Sequence, residues 1–379
     1  MKKLSLYIHI PFCKKKCHYC DFRSFQNCGR DDIQEYMEDL SKEIDLYRHL
    51  GKVYVIDTLF IGGGTPSMVP VEGIAKIMKQ LRRVFPFSED PEISIEGNPD
   101  TLSYDKMARY YDLGIHRLSM GLQSENRELL KTIGRIHSAE DFLASLENAR
   151  KIGYENINGD LMFGLPGQRL KTFQNTLQWV VNLNIPHISA YGLIINEETE
   201  LARRINHGVL PEPDEDLEVD MYDFLRKFLP KKGYQHYEIS NFAKPGFQCR
   251  HNRTYWENRE YLGLGLGAHS SIGNRRFFNA EDFDSYHRMI QAEEKPLAGE
   301  ELLSDRERLK ESLMLGLRLR EGIDMDYLEE RYKTPVDDTV KQKLRGFEKK
   351  ELIQTREGRL RLTSKGLYLS NSVFREILD

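Results

Sequence analysis

The chain has 379 residues, with 55 basic and 59 acidic side chains and a formal net charge of −4. This length accommodates two or three domains, or one large α/β barrel with an appendage. The slightly acidic balance argues against a dedicated nucleic-acid binder, and no apolar run approaches the roughly 18 residues of a membrane span. The first ten residues have a strand pattern and no signal-peptide cleavage site, so we expect a cytoplasmic protein.

Strand-like and helix-like segments alternate along the first two hundred residues. The apolar patterns predict six strands, at residues 4–10, 55–61, 92–96, 117–122, 156–163 and 187–195. Helical spacing and capping residues predict helices between them, at residues 33–47, 70–84, 103–113, 138–152 and 170–183. Such alternation predicts a parallel sheet with right-handed crossovers. Six units are too few for a closed eightfold barrel, so we predict an α/β fold built on a partial (β/α)6 barrel.

The pattern changes after residue 196. Residues 216–232 are helix-like, and residues 233–278 form an irregular block rich in glycine and aromatic side chains. From residue 302 onward, helix-like segments precede a short hairpin that turns at 356–359, which is typical of a small α+β, winged-helix-like domain. We therefore divide the chain into a core domain (1–232), a connecting region (233–300) and a C-terminal domain (301–379).

Three of the five cysteines, Cys13, Cys17 and Cys20, lie within eight residues directly after the first strand. In a cytosolic protein such a cluster indicates metal or redox chemistry rather than disulfides. Three thiolates can hold three irons of a 4Fe–4S cube and leave one iron open. Zinc is the competing metal, although it would need a fourth ligand, and His18 has little room to reach round. Cys28 has no evident partner.

Other segments carry candidate binding residues. Gly62-Gly63-Gly64-Thr65 follows the second strand, at the edge where parallel sheets bind ligands, and glycine lets the backbone approach a charged group. The run of three lysines at 14–16 indicates a solvated loop, or one that favours thiolates or receives an acidic electron donor. A second glycine-rich run, at 263–267, does not precede a convincing helix, so we reject a dinucleotide site.

The spacing C-x3-C-x2-C is the signature of radical S-adenosylmethionine (SAM) enzymes. Together with the motifs at 8–13, 62–66, 92–96, 118–123 and 164–168, it makes nearly the whole chain resemble the oxygen-independent coproporphyrinogen oxidase family. The resemblance implies a radical SAM barrel, a 4Fe–4S cluster on the three cysteines, and SAM bound at Tyr7, Tyr19, Gly63, Gly64, Thr65, Glu96, Gln123, Arg135, Asp160 and Ile194. Simpler roles stay open for several of them: a surface ion pair for Arg135, a helix or loop cap for Asp160, and core packing for Tyr7, Tyr19 and Ile194.

Two departures separate the chain from the true oxidase. Phe22 stands where the oxidase has a further cysteine, and the chain begins almost at its first strand, without the oxidase's N-terminal extension. Both departures fit the HemW branch, whose members resemble haem chaperones. The motif H-N-x-x-Y-W at 251–256 also matches that branch, and implies that His251 is an axial haem ligand with Tyr255 and Trp256 walling the macrocycle. Cys249 is a rival ligand, and Arg250 or Arg253 is a candidate partner for the haem propionates.

We therefore expect a haem chaperone that binds haem, SAM and a 4Fe–4S cluster and delivers haem to an acceptor, with a respiratory membrane protein as the expected acceptor. The alternative is a radical SAM oxidase that decarboxylates coproporphyrinogen oxidatively, and a structural iron–sulfur protein is a third option. We assign no catalytic residue and expect no coproporphyrinogen oxidase activity. The expected partners include an electron donor and a second copy of the chain in a homodimer, but no nucleic acid. The expected location is cytoplasmic, or peripheral to a membrane.

Overall fold

A computed structural model describes residues 1–378. The strands are β1 (Lys2–Ile10), β2 (Tyr54–Gly63), β3 (Phe87–Gly97), β4 (Arg117–Gln123), β5 (Asn156–Phe163), β6 (His187–Gly192), β7 (Gln235–Glu238), β8 (Asn241–Ala243), β9 (Tyr261–Leu264), β10 (His269–Ile272), β11 (Arg275–Asn279), β12 (Leu297–Leu302), β13 (Ile323–Asp324), β14 (Ile353–Arg356) and β15 (Arg359–Leu362). The helices are α1 (Arg30–Leu46), α2 (Val71–Val84), α3 (Tyr104–Asp112), α4 (Arg127–Thr132), α5 (Ala139–Ile152), α6 (Leu170–Asn182), α7 (Glu200–Asn206), α8 (Glu215–Phe228), α9 (Arg250–Trp256), α10 (Phe283–Gln291), α11 (Asp305–Gly316), α12 (Met325–Tyr332), α13 (Asp338–Lys349), α14 (Ser364–Tyr368) and α15 (Ser370–Leu378).

The first six strands pair side by side, all parallel and in sequence order, with helices in the connections. This confirms the predicted six-unit α/β core. The sheet is larger than the core, because the β7–β8 hairpin pairs antiparallel with β6 at one edge. At the other edge β9 pairs parallel with β1, and β10 to β12 continue antiparallel to give a mixed sheet of twelve strands.

The two faces of the core strands differ in polarity. On β1, the fully buried side chains Leu4, Leu6, Ile8 and Ile10 alternate with more polar ones. The apolar face packs against the surrounding helices and forms the main hydrophobic core. The opposite face lines a cavity of about 140 Å³ inside the barrel, with the lining residues Tyr7, Phe60, Glu96, Arg117, Ser119, Asn158, Asp160, Ser189, Tyr191, His251, Asn252 and Tyr255. We call this cavity the lumen.

Residues 233–278, predicted to be irregular, instead form β7 to β11 and α9. The prediction was wrong because these strands have only three to five residues each, too few for a visible alternation. They pair with one another, and the set is held to the core where β8 pairs with β6 and β9 pairs with the distant β1. Strand β6 is also shorter than predicted and ends at Gly192.

A buried carboxylate attaches this edge extension to the core. Glu43 of α1 accepts hydrogen bonds from the Gly265 backbone N–H at 2.7 Å, the Tyr286 hydroxyl at 2.6 Å and the Asn279 side-chain amide at 2.6 Å. Burial raises the pKa of Glu43 to about 7. Residues 261–286 are therefore tied into the same folded unit as α1.

The C-terminal part has its own small sheet, in the order β13-β15-β14, with antiparallel pairing. Helices α11 to α15 surround this sheet, in agreement with the predicted α+β, winged-helix-like domain. Among residues 1–378, no helix is both long and apolar enough to cross a bilayer.

Candidate functional site

The three clustered cysteines lie on the loop that joins β1 to α1, at the carboxyl edge of the barrel. The loop is anchored, because the Cys13 N–H donates to the Phe25 carbonyl at 2.9 Å and the His18 N–H to the Ile133 carbonyl at 3.0 Å. Cys13 is buried, whereas Cys17 and Cys20 are partly exposed. Burial raises the pKa of both partly exposed thiols, that of Cys20 to about 11, so iron binding must displace their protons.

The donor set of this loop fits an iron–sulfur cube. Within residues 1–378, no group of three or more potential ligands converges on one metal ion. A cube has no such requirement, because each thiolate binds a different iron. The zinc alternative gains no support from His18, whose Nδ1 lies 3.0 Å from the Thr132 carbonyl oxygen and 3.1 Å from the Arg204 guanidinium.

The glycine-rich loop after β2 packs directly onto the cysteine loop. A Cβ atom on Gly64 would lie 2.7 Å from the Phe12 carbonyl oxygen and 3.0 Å from the Cys13 sulfur. Gly63 has φ of +117°, a conformation that favours glycine. Thr65 Oγ1 lies 3.6 Å from the Cys13 sulfur. These residues were predicted to approach SAM, and the structure adds that Gly64 and Thr65 pack against Cys13, a predicted cluster ligand.

A hydrogen-bonded chain extends from Thr65 across the carboxyl edge. The Asn98 side-chain amide donates to Thr65 Oγ1 at 3.2 Å. Arg135 then donates to Asn98 Oδ1 at 2.7 Å and to the Tyr19 hydroxyl at 2.8 Å. Gln123 lies beside this chain, because its side chain and that of Arg135 both approach Gly121. Tyr19, Thr65 and Arg135, three of the predicted site residues, are therefore linked in one hydrogen-bonded chain. Among the described residues, Arg135 forms no surface ion pair.

Sequence reasoning missed Asn98, which joins Thr65 to Arg135. The only available signal was its position, two residues after Glu96 and just beyond a strand end.

Three further predicted residues, Tyr7, Glu96 and Asp160, line the lumen. Glu96 accepts a hydrogen bond from the Gly63 N–H at 3.2 Å. Burial raises the pKa of Glu96 to about 8, and the nearby charge of Asp160 adds to this shift. Burial also raises the pKa of Asp160. Asp160 lies within β5 rather than at a helix or loop cap, so that simpler role is excluded.

Ile194 lies two residues beyond the end of β6, and 79% of its side chain is exposed. Core packing is therefore excluded for this residue. Ile194 is not among the residues that line the lumen.

The predicted haem motif lies on α9, and its histidine faces the lumen. His251 is 1% exposed, with Nδ1 2.8 Å from Thr58 Oγ1 and Nε2 2.9 Å from the Tyr255 hydroxyl. Burial lowers the pKa of His251 to about 3, so the imidazole is neutral. Both ring nitrogens have partners, and a cavity of about 140 Å³ has no room for a macrocycle. In this conformation His251 does not reach haem.

The other candidate haem-binding side chains around this motif also have partners within the protein. Cys249 is fully buried, with its sulfur 3.6 Å from a Glu92 carboxylate oxygen. Arg250 pairs with Asp57 and Asp90, both at 3.1 Å. Arg253 pairs with two glutamates, Glu257 and Glu321, each at 2.8 Å.

Comparison with known proteins agrees with this geometry. The family model "Radical SAM superfamily" matches residues 7–180, and the model "HemN C-terminal domain" matches residues 303–369. A parallel six-strand core with three cysteines on the loop after its first strand defines the class: this is a radical SAM protein.

The relatives narrow the class to one family. Heme chaperone HemW of Bacillus subtilis (strain 168) is 38% identical over 99% of both chains. That of Lactococcus lactis subsp. lactis (strain IL1403) is 33% identical over 100% of this chain and 98% of the relative. The chain belongs to the HemW family. Among solved structures, coproporphyrinogen III oxidase (HemN) from Escherichia coli has a TM-score of 0.88 and 27% identity, covering 99% of this chain and 90% of that one.

Proposed function

We propose that this protein is a haem chaperone that binds haem as cargo, carries a SAM-binding 4Fe–4S domain, and delivers haem to an acceptor protein. The observation that carries the proposal is the near-complete match to curated relatives named heme chaperone HemW. Phe22, at the position of the oxidase's further cysteine, supports it. This side chain is 65% exposed next to Cys20, and it offers no fourth thiol.

In this proposal Cys13, Cys17 and Cys20 would hold the cluster, which would supply one-electron redox chemistry beside the SAM site. At the carboxyl edge of the barrel, Gly63, Gly64 and Thr65 are proposed contacts to SAM. The remaining proposed contacts to SAM are Tyr7, Tyr19, Glu96, Gln123, Arg135, Asp160 and Ile194. The contact network of Arg135 and the buried acids of the lumen support these roles.

Several finer points are part of the same proposal. The acceptor is a respiratory membrane protein, an electron donor reduces the cluster, and the protein works as a homodimer in the cytoplasm or at a membrane surface. The lysines at 14–16, on the cysteine loop, support an acidic electron donor. The domain limits 1–232, 233–300 and 301–379 belong to this proposal as well.

The competing function is oxidative decarboxylation of coproporphyrinogen, which the structural likeness to the Escherichia coli oxidase favours. The test is anaerobic incubation of the reconstituted protein with coproporphyrinogen III, SAM and dithionite, followed by chromatography of the oxidised porphyrins. We expect no protoporphyrin above the enzyme-free control, while the Escherichia coli oxidase serves as the positive control. Multiple turnovers to protoporphyrin would replace the chaperone proposal with the oxidase function.

SAM affinity is expected to rise about tenfold between pH 7 and pH 9. Glu96, with a raised pKa of about 8, is mostly protonated at pH 7 and mostly ionised at pH 9. Glu96 is the proposed partner of the SAM ribose, whose hydroxyls donate best to a carboxylate. Below this pKa, SAM binding must therefore release the proton of Glu96. Calorimetric titration measures the affinity at each pH. Since burial also raises the pKa of Asp160, Glu96→Gln is the control that isolates Glu96, and it should lose most of the rise. The same tenfold rise in Glu96→Gln would remove Glu96 from the SAM site.

His251 stays the proposed axial ligand, with the condition that α9 moves to admit haem. His251→Ala should then shift the Soret band of the haem-loaded protein. It should also lower the free energy of unfolding by about 1–3 kcal/mol, because Thr58 and Tyr255 lose a buried partner. Tyr255→Phe is the matched control, which breaks the hydrogen bond but keeps the imidazole and should leave the Soret band in place. A lower melting temperature with an unchanged Soret band in His251→Ala would give this histidine a structural role only.

A further inference from the structure

Arg117, at the start of β4, is a buried cation with no hydrogen bond or direct ion pair among residues 1–378. The residue is 3% exposed and lines the lumen. No carboxylate of the described residues forms an ion pair with its guanidinium, and Nε has no hydrogen-bond partner. Arginine does not lose its charge in proteins, so an unpaired guanidinium away from water is costly.

The acids nearest to Arg117 are committed to other groups. Glu92 accepts from the backbone N–H groups of Arg250 at 3.0 Å and His251 at 2.9 Å, and so caps α9. Asp160 accepts from the Asn158 side-chain amide at 2.7 Å and from the Ser119 hydroxyl at 3.2 Å. The charges of Glu92 and Asp160 favour the protonated form of Arg117 and raise its pKa, but neither acid accepts a hydrogen bond from its guanidinium.

A second unpartnered group lies next to Arg117. Ser94 on β3 is directly opposite Arg117 in the strand register, and its buried hydroxyl has no hydrogen-bond partner either. Ser189 and Tyr191 on β6 bring two more hydroxyls to the cavity wall, and Phe60 adds an apolar surface. The lumen thus combines an unpaired guanidinium with hydrogen-bond donors and one apolar wall.

We infer that the lumen is a binding site for a carboxylate, which pairs with the guanidinium of Arg117. A planar guanidinium matches a carboxylate with two parallel hydrogen bonds. A volume of about 140 Å³ suits a short aliphatic acid. The acidic groups Glu96 and Asp160 in the same cavity disfavour a dianion such as phosphate, so a monoanion is selected. This inference does not depend on haem transport.

The carboxylate has two possible sources, a free small organic acid or the propionate arm of a larger cargo. Sodium propionate is the probe, titrated at constant ionic strength into the anaerobically reconstituted protein, with propionamide as the uncharged control of the same shape. At about ten times its Kd, propionate should raise the melting temperature by roughly 2 °C, and propionamide should not. An equal response to propionamide or to chloride would overturn the carboxylate site.

Two variants test the role of Arg117 itself. Arg117→Met should abolish the propionate response, because no guanidinium is left to pair with the carboxylate. Arg117→Lys should keep a weaker response. If Arg117 serves only as a counter-charge for Glu92 and Asp160, whose charges favour its protonated form, the wild type will show no response to propionate.

A final arm distinguishes the sources of the carboxylate. Competition between haem and propionate for the lumen would identify the propionate arm of the cargo. Additive binding of the two would identify a free acid.

Discussion

Cys17→Ala is expected to abolish the visible charge-transfer absorbance of the anaerobically reconstituted protein and most of its bound iron. A cube held by three protein thiolates loses one of three anchors in this variant. The chain has no substitute at that place, because the histidine next to Cys17, His18, is hydrogen-bonded to the Thr132 carbonyl. Iron per chain and the absorbance spectrum measure the effect.

Cys28→Ala is the matched control, since Cys28 is also a partly buried free thiol and lies close enough to Cys13 for the two to interact electrostatically. It should retain the full absorbance and iron content of the wild type. An unaltered spectrum in Cys17→Ala would refute the placement of the cluster, and loss of the cluster in Cys28→Ala would refute the three-cysteine ligand set.

Gly64→Ala is expected to have the second largest effect, with at least half of the bound iron lost although no ligand is removed. The added methyl group would lie 2.7 Å from the Phe12 carbonyl oxygen and 3.0 Å from the Cys13 sulfur. The Phe12 backbone is held in place, because Phe12 forms a β-bridge with Phe25 and the Cys13 N–H donates to the Phe25 carbonyl. Cys13 must therefore shift from its position as a ligand.

Gly346→Ala provides the steric control for this prediction. Gly346 lies within α13, and a Cβ there meets no atom within 4 Å. It should keep the full iron content and gain about 0.5–1 kcal/mol of stability from the better helix propensity of alanine. A full complement of iron in Gly64→Ala would show that the two loops are not packed as closely as this structure places them.

The sequence predicted the core well wherever a local pattern carries the information. Residues 156–163 were predicted as a strand and form β5 (Asn156–Phe163) with the same limits. The carboxyl-edge position of the cysteine and glycine-rich loops followed from their place after the first two strands. The strand order alone predicts the position of these loops, because all six core strands are parallel.

The missed features depend on contacts between distant segments. The edge strands β7 to β11 are too short to show a pattern, and they join the sheet only because β8 pairs with β6 and β9 pairs with β1. Asn98 and Arg117 gain their significance from strand register and from the polar inner face of the barrel. The burial of His251 behind Thr58 and Tyr255 likewise follows from the packing of α9, which no local pattern reveals.

The central claim is that this protein holds haem as cargo, and an anaerobic haem titration of the reconstituted protein tests it most directly. Difference absorbance in the Soret region is recorded against the same additions to buffer. If the protein holds haem, a shifted Soret band will appear, and its intensity will saturate as haem is added. A band that grows without saturation and matches haem in buffer would contradict it.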